Sequence, residues 1–411
     1  MKFMHVISLI IVLSIHSSIF GLFIVPGEKE DTPKRVQKTG AQLTIGKNGL
    51  QKNGSEFDNP WVNNVINNFD RIAQKASAEL VAYDTHNTIP GEYYADQAKV
   101  VTQTIGEVLN IKDRIEGYSH FQSIKRVPKT TIVYLDGGSA ITKNAHLFIL
   151  DMKSEPPMGP WVSNTHDKTA KQRDTIVKTI TLYEGITHWH PGGMDICGKY
   201  LVIPLEGPTG TQVTFYDISD PLNPKKLNAH INIAGGCMAN ALARLPDDHY
   251  LAGAMMNSIS LDLYYSKTTQ LEDGFFDTPT VLDVPRETSR TNYQNINFIT
   301  QTDGTLFMIG TQNTKQTSPI ISGQDYMDLF IIEYDIVKFA NINKLIEQGK
   351  NIESKDLAAY ARCLRQKDIH CEDRCNFNAG GTIFIKDQSS LAIYATPHWP
   401  HDKKTMFNIY E

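Results

Sequence analysis

The stretch "GGMDICGKYLVIPLEGPTGTQVTFYDI", Gly192 to Ile218, decides the fold of this chain. Its runs "YLVIPL" and "QVTFYDI" are rich in β-branched and aromatic residues, and a glycine-containing turn precedes each run. Short runs of this kind, bounded by Gly and Pro, are typical of β-strands. Together with "GGMDIC", they predict three consecutive strands joined by turns and a loop.

The same unit of strand, turn, strand, loop and strand occurs five times along the chain. The other four units begin after Tyr118, Gly235, Asn292 and Asn376. A further candidate strand precedes four of the five units, which gives sheets of four strands. Such a sheet cannot bury both of its faces alone, so neighbouring sheets stack, and radial stacking gives a β-propeller.

The two ends of the repeat region predict that the ring closes. The last unit stops at Glu411 after three strands, and the candidate strand Glu107–Ile115 precedes the first unit without a unit of its own. We therefore predict an all-β, five-bladed propeller over residues 105–411, closed by an N-terminal strand that completes the last sheet. Six blades is the main alternative, because the insertions before Asp174 and Cys375 could hide strands. A two-sheet sandwich is the other alternative.

The region before the propeller has three predicted parts. Residues 1–21 have a basic start and an apolar core, as in a secretory signal peptide. An uncleaved membrane anchor is the alternative, although the apolar run is shorter than the roughly 18 residues that a span needs. Residues 22–58 predict a polar linker. Residues 59–104 predict a helical extension, and about 336–363 predict a helical insertion that is a second candidate contact surface.

Export would place the mature protein in a secreted, periplasmic or extracellular location, where disulfides form. The chain has five cysteines, and we predict a bridge from Cys363 to Cys371 or Cys375. Cys197 and Cys237 lie in predicted strands as buried residues. The formal charge of −5 does not indicate a nucleic-acid partner. No other stretch is apolar for long enough to give a stable membrane span after cleavage of the signal peptide.

One blade carries a resemblance to a known family. The stretch Gly192–Leu227 has a glycine-rich inner strand, a second strand that starts with an aromatic residue, and the turn "DISDPLNP". In this it resembles the LVIVD-type propeller repeat. The other blades lack the "DxSDPxNP" pattern, so the resemblance is confined to about one blade. It implies the propeller fold and no particular activity.

Propeller topology brings distant histidines to one end of the central channel. The starts of the inner strands and the loops between second and third strands surround the same mouth. Imidazoles and carboxylates at that mouth could bind Zn, Fe or Cu, and Glu206 could also act as a general base. The alternative is an ordinary polar lining of the channel. The candidate metal ligands are His120, His188, His190, Glu206, His398 and His401.

Aromatic and amide side chains at the same mouth are candidates for ligand binding, with packing between blades as the alternative for the tryptophans. These candidates are Trp189, Tyr293, Asn376 and Trp399. We predict an exported propeller that binds a small molecule, a glycan or a protein at this mouth. The alternative is a secreted metal-dependent hydrolase or oxidoreductase. The sequence suggests no cofactor other than a divalent or transition metal, and it defines no catalytic residue.

Overall fold

The computed structural model describes most of the repeat region and a short part of the chain before it. The described residues are 61–76, 82–84, 120–139, 143–151, 175–256, 260–277, 279–285, 293–313, 325–334, 360–369, 377, 380–396 and 406–410. All of them belong to one of two units of the chain, Ile45–Glu411, and the other unit, Met1–Thr44, lies outside them. The predicted signal peptide and linker therefore lie outside the described residues.

The strands, numbered along the chain, form five antiparallel sheets, which are the five blades. Blade 1 contains β2 (His120–Arg126), β3 (Ile132–Ser139), β4 (Asn144–Asp151) and β5 (Thr175–Glu184). Blade 2 contains β6 (His190–Pro191) and β7 (Asp195–Cys197), both paired with β8 (Tyr200–Gly207), then β9 (Gly210–Asp217) and β10 (Lys225–Ile233). Blade 3 contains β11 (Cys237–Arg244), β12 (Tyr250–Met256), β13 (Ser260–Tyr265) and β14 (Thr280–Asp283), with the short 3-10 helix Leu271–Asp273 before β14.

Blade 4 contains β15 (Asn295–Thr300), β16 (Leu306–Asn313), β17 (Asp325–Glu333) and β18 (Tyr360–Ile369). Blade 5 contains β19 (Gly381–Asp387), β20 (Ser390–Ala395), β21 (Met406–Tyr410) and, at its outer edge, β1 (Ala82–Asp84). The prediction of an all-β, five-bladed propeller is confirmed, and the six-bladed and sandwich alternatives are not.

Five hydrophobic clusters hold the ring together, one between each pair of neighbouring blades. Alternation along each strand explains this arrangement, because successive side chains point to opposite faces of a sheet. On β3, Leu135 packs towards Phe384 of blade 5, whereas Tyr134 packs towards Ile203 of blade 2. Since blade 5 also packs on blade 1, the ring is closed.

The strand that completes blade 5 is not the one that the sequence predicts. Ala82–Asp84 pairs with β21, with Tyr83 opposite Phe407. The predicted closing strand, Glu107–Ile115, lies outside the described residues. The sequence analysis placed Ala82–Asp84 in the helical extension. An N-terminal strand completes the last sheet, as predicted, but a different segment of the chain forms that strand.

The outer strand of blade 4 also corrects a prediction. The end of the predicted helical insertion at 336–363 is part of β18, which pairs with β17 so that Tyr326 lies opposite Asp368. Residues 335–359 lie outside the described residues. Ala, Leu, Arg, Lys and Gln in this strand are good helix formers in isolation, and pairing with β17 overrides that preference.

A helix, α1 (Val65–Ala76), packs against blades 4 and 5. Val65, Phe69 and Ile72 are buried at this contact. Just before the helix, the Val62 N–H donates to the Thr300 carbonyl oxygen at 2.9 Å, which attaches the segment to blade 4. Residues 85–104 of the predicted helical extension lie outside the described residues.

The two cysteines that the sequence predicts to be buried are buried in the structure. Cys197 and Cys237 are buried between blades 2 and 3. Cys371 and Cys375 lie outside the described residues, so the disulfide stays a prediction. In the described part of the chain, no helix has the length and apolar character that crossing a membrane requires.

Candidate functional site

Two histidines from neighbouring blades meet at the end of the channel where the inner strands begin. His120 is the first residue of β2 in blade 1, and His190 is the first residue of β6 in blade 2. Gln122, two residues after His120, lies beside both rings, and Glu206 of β8 lies behind His190. We call the site formed by His120, Gln122, His190 and Glu206 the histidine mouth.

The polar atoms of the histidine mouth lie within hydrogen-bonding distance of one another. The Nε2 atoms of His120 and His190 are 3.2 Å apart, and the two ring centroids are 5.1 Å apart. The Gln122 side-chain amide lies 2.7 Å from His190 Nε2 and also contacts His120 Nε2. Gln122 is 5% exposed, so its amide is held inside the protein and directed at the two rings. Three polar groups therefore converge on one point.

Glu206 holds the second nitrogen of His190. The two residues are opposite each other in the β6–β8 pair, and the Glu206 Oε2 lies 3.3 Å from His190 Nδ1. A carboxylate can only accept a hydrogen bond, so a neutral imidazole in this contact carries its proton on Nδ1 and its lone pair on Nε2. The two side chains are 26% and 31% exposed, which leaves the histidine mouth accessible to solvent.

A glycine makes the close approach of the two blades feasible. Gly138 on β3 is the pairing partner of His120. A Cβ atom at Gly138 would lie 2.7 Å from the Trp189 carbonyl oxygen and 2.9 Å from Pro191 Cδ. The absence of a side chain therefore lets the backbone around His190 lie directly against blade 1, which brings the two imidazoles together.

His188 does not join this cluster. Residues 185–188 form a bend rather than a strand, so the expected alternation with His190 does not apply. The His188 ring packs edge-on against Tyr183 at 5.5 Å, and its Nδ1 lies 3.1 Å from Thr187 Oγ1. Burial, and then the positive charge of Lys226, lower the pKa of His188.

The predicted ligand-binding residues have different environments. Trp189 lies at the rim, with its ring 5.4 Å from that of His190 and the Lys143 ammonium 4.4 Å above it. Tyr293 is fully buried and donates a hydrogen bond to Asp328 Oδ2 at 2.6 Å, so it packs inside blade 4. Asn376, His398, Trp399 and His401 lie outside the described residues.

The donor set at the histidine mouth differs from the predicted one. Among the described residues, no three His, Cys, Asp or Glu side chains converge as metal ligands. The third group that meets the two histidines is the amide of Gln122. The one sequence signal for Gln122 is its position two residues from His120, which puts both side chains on the same face of β2.

Further along the channel, a buried polar network ties the inner strands of all five blades together. Asp195 Oδ1 lies 2.7 Å from Lys125 Nζ and accepts from Asn297 Nδ2 at 2.9 Å. Asp195 Oδ2 accepts from the Leu242 N–H at 3.1 Å, and Lys125 Nζ donates to the Ile383 carbonyl oxygen at 2.6 Å. Lys125 and Asp195 are 5% and 2% exposed, so the network is structural and sequence reasoning missed it.

A second buried acid lies on β3 near the histidine mouth. Asp136 is fully buried, and neither of its carboxylate oxygens makes a well-directed hydrogen bond among the described residues. Burial raises the pKa of Asp136 well above its ordinary value, and the backbone N–H groups of Ser123 and Asp136 oppose this only in part. A buried acid without a strong partner favours its neutral form.

Comparison with known proteins gives only distant structural similarities. No family model matches the sequence, and no curated protein matches it. A hypothetical protein from Leishmania major is similar in structure, with 8% identity, a TM-score of 0.40, and 76% of this chain and 94% of that chain covered. A thermostable family-43 glycoside hydrolase has 11% identity and a TM-score of 0.37, with 71% and 89% covered. The WD40 domain of Toxoplasma gondii coronin has 10% identity and a TM-score of 0.28, with 71% and 58% covered.

Proposed function

We propose that the protein binds a small polar ligand at the histidine mouth. The observation that carries this proposal is the convergence of three polar side chains from two blades at a partly exposed channel end. Polar groups that only support a fold are usually enclosed and fully paired, as Lys125 and Asp195 are. Convergent polar groups in an open concavity are instead typical of ligand sites.

The side chains around the histidine mouth suggest the chemistry of the ligand. Imidazole and amide groups both donate and accept hydrogen bonds, which suits hydroxyl groups. The Lys143 ammonium above Trp189 supplies a positive charge at the rim, which suits a carboxylate. We therefore expect a ligand that carries hydroxyl and carboxylate groups, as sugar acids do.

Calorimetric titration with D-glucuronate, and with D-glucose as the uncharged counterpart, tests the proposal. We expect glucuronate to bind more tightly than glucose, and His190→Ala to weaken its binding at least tenfold. The matched control is His230→Ala, which removes an exposed histidine of β10. Equal binding by the His190→Ala variant, or no binding of either sugar by the folded parent, would contradict the proposal.

The His190–Glu206 contact favours a second candidate, a hydrolase. A carboxylate that holds the Nδ1 proton leaves a lone pair on Nε2, which can take a proton from water or a substrate hydroxyl as a general base does. A screen with p-nitrophenyl esters and glycosides should then show turnover by the parent protein. Turnover that survives in His190→Ala would reject this role.

We also propose that the protein is exported, on the basis of residues 1–21. Mass spectrometry of the protein recovered from a secreting host should give a chain that begins near residue 22. A chain that retains Met1 and stays with the cells would contradict export. The same spectra, before and after reduction, would show whether Cys363 is bridged to Cys371 or Cys375.

A further inference from the structure

We propose that Lys143 is the residue that selects an acidic ligand over a neutral one at the histidine mouth, with the Trp189 ring as the surface that positions its ammonium. The inference rests on the proposed binding of a sugar acid. It adds which residue recognises the carboxylate and how the ligand is oriented. Lys143 directly precedes β4 in blade 1 and Trp189 directly precedes β6 in blade 2, so the pair joins the same two blades as His120 and His190 do.

The backbone of Lys143 is fixed on both sides. Its N–H donates to the Ser139 carbonyl oxygen at 2.8 Å, and its carbonyl oxygen accepts from the Gly185 N–H at 2.9 Å. The φ angle of Lys143 is +59°, in the left-handed region that glycine, asparagine and aspartate adopt most readily. A lysine is an uncommon residue at such a position, which points to a role for its side chain.

The side chain of Lys143 reaches from blade 1 to the Trp189 ring. Its Nζ lies 4.4 Å from the ring centroid, within the range of about 6 Å in which a ring face attracts a cation. The Trp189 ring is T-shaped to the His190 ring, with the centroids 5.4 Å apart. This contact restricts a long, flexible side chain before the ligand arrives, so less entropy is lost when the ammonium binds a carboxylate.

The charges around the histidine mouth give the bound ligand one orientation. Because the ammonium is 4.4 Å from the Trp189 ring and that ring is 5.4 Å from the His190 ring, one pyranose ring with its substituents can reach from the imidazoles to the ammonium. The Glu206 carboxylate contacts His190 Nδ1 and repels a second carboxylate from that side. The ligand hydroxyl groups therefore face the imidazoles, and its carboxylate faces Lys143.

The rival explanation is that Lys143 only covers the Trp189 ring, as long charged side chains cover apolar surface elsewhere in proteins. The two explanations differ in what they predict for the ligand. A covering role changes stability and leaves the preference between acidic and neutral sugars as it is. Recognition of the carboxylate changes that preference.

Calorimetric titration of the full chain with D-glucuronate and D-glucose separates the two explanations. We expect Lys143→Met to bind glucuronate at least about tenfold more weakly than the parent, because a charged hydrogen bond is lost, and to bind glucose as the parent does. Lys143→Arg should keep the preference for glucuronate, since arginine retains the charge and also packs on aromatic rings. The matched control is Lys129→Met, which removes an exposed lysine of blade 1 that has a similar φ of +58°.

A measurement on the parent protein guards against variants that fail to fold. Its affinity for glucuronate should fall as the salt concentration rises, while its affinity for glucose should not change, because salt screens only the charged contact. A Lys143→Met variant that keeps the parent's preference, or that loses both sugars equally, would overturn the role of Lys143 and leave the binding function standing. A folded parent that binds neither sugar would contradict the binding function itself, and this inference with it.

Discussion

Removal of the Asp195 carboxylate should strongly destabilise the propeller. In the Asp195→Ala variant, the ammonium of Lys125 would lose its charged partner while it stays buried in the channel. The N–H groups of Asn297 and Leu242 would lose their acceptor in the same step. One substitution therefore removes an acceptor from donors in three other blades.

The magnitude follows from the burial of the pair. Breaking a buried ion pair by removal of one partner costs about 3–5 kcal/mol, because the remaining charge is uncompensated. Each unpaired buried N–H adds about 1–3 kcal/mol unless water reaches it. We expect a loss of at least about 4 kcal/mol in the free energy of unfolding, a large part of the roughly 5–15 kcal/mol that folded proteins have.

Urea unfolding, followed by circular dichroism and tryptophan fluorescence, measures the loss. The control is the double variant Lys125→Met/Asp195→Leu, which removes both charges and should be more stable than Asp195→Ala. A loss below about 1 kcal/mol in Asp195→Ala would refute the structural role of the network. A double variant that is less stable than the single variant would refute the explanation by an unpaired charge.

Three further predictions concern the ring. Asp136→Asn should stabilise the protein at pH 8 and have little effect at pH 4. The pKa of this buried acid is higher in the folded protein than in the unfolded chain, so the parent protein loses stability as the pH rises between these two pKa values. The gain is about 1.4 kcal/mol for each unit of that pKa elevation. Gly138→Ala should cost about 1–3 kcal/mol and separate the two imidazoles, since its Cβ would clash with the Trp189 carbonyl oxygen. Replacement of Ala82–Asp84 by prolines should lower the unfolding temperature, because β21 would lose its outer partner.

Simple measurements check these three variants. Thermal unfolding of Asp136→Asn across the pH range should give a flatter profile than the parent, and parallel profiles would contradict the buried-acid explanation. Unchanged glucuronate affinity and stability in Gly138→Ala would show that the close approach of the blades is unimportant. Unchanged unfolding temperature after the proline replacement would mean that β1 does not close the ring.

The fold was predictable because the second strands of its blades have strong local patterns. Runs such as "YLVIPL" and "TIVYL" are apolar, bounded by turns and repeated at similar spacing. The outer strands were harder, since they face solvent on one side. Ala82–Asp84 is only three residues long, and β18 alternates buried and exposed residues irregularly. Both depend on pairing with strands that are distant in the chain.

The histidine mouth was predictable only where topology determines position. His120 and His190 each begin an inner strand, so the propeller alone places them at the same end of the channel. His188 was expected beside them, and the bend before β6 turns it towards Tyr183 instead. The role of Gln122, and the pairing of Lys125 with Asp195, depend on side-chain packing that no local pattern records.

The most direct test of the account is the binding of D-glucuronate to the full chain, measured by calorimetric titration. The His120→Ala/His190→Ala double variant is measured beside it. We predict that glucuronate binds the folded parent and binds the double variant at least about tenfold more weakly. A folded parent that does not bind glucuronate, or a double variant that binds it equally well, would contradict the assignment of the histidine mouth as a ligand site.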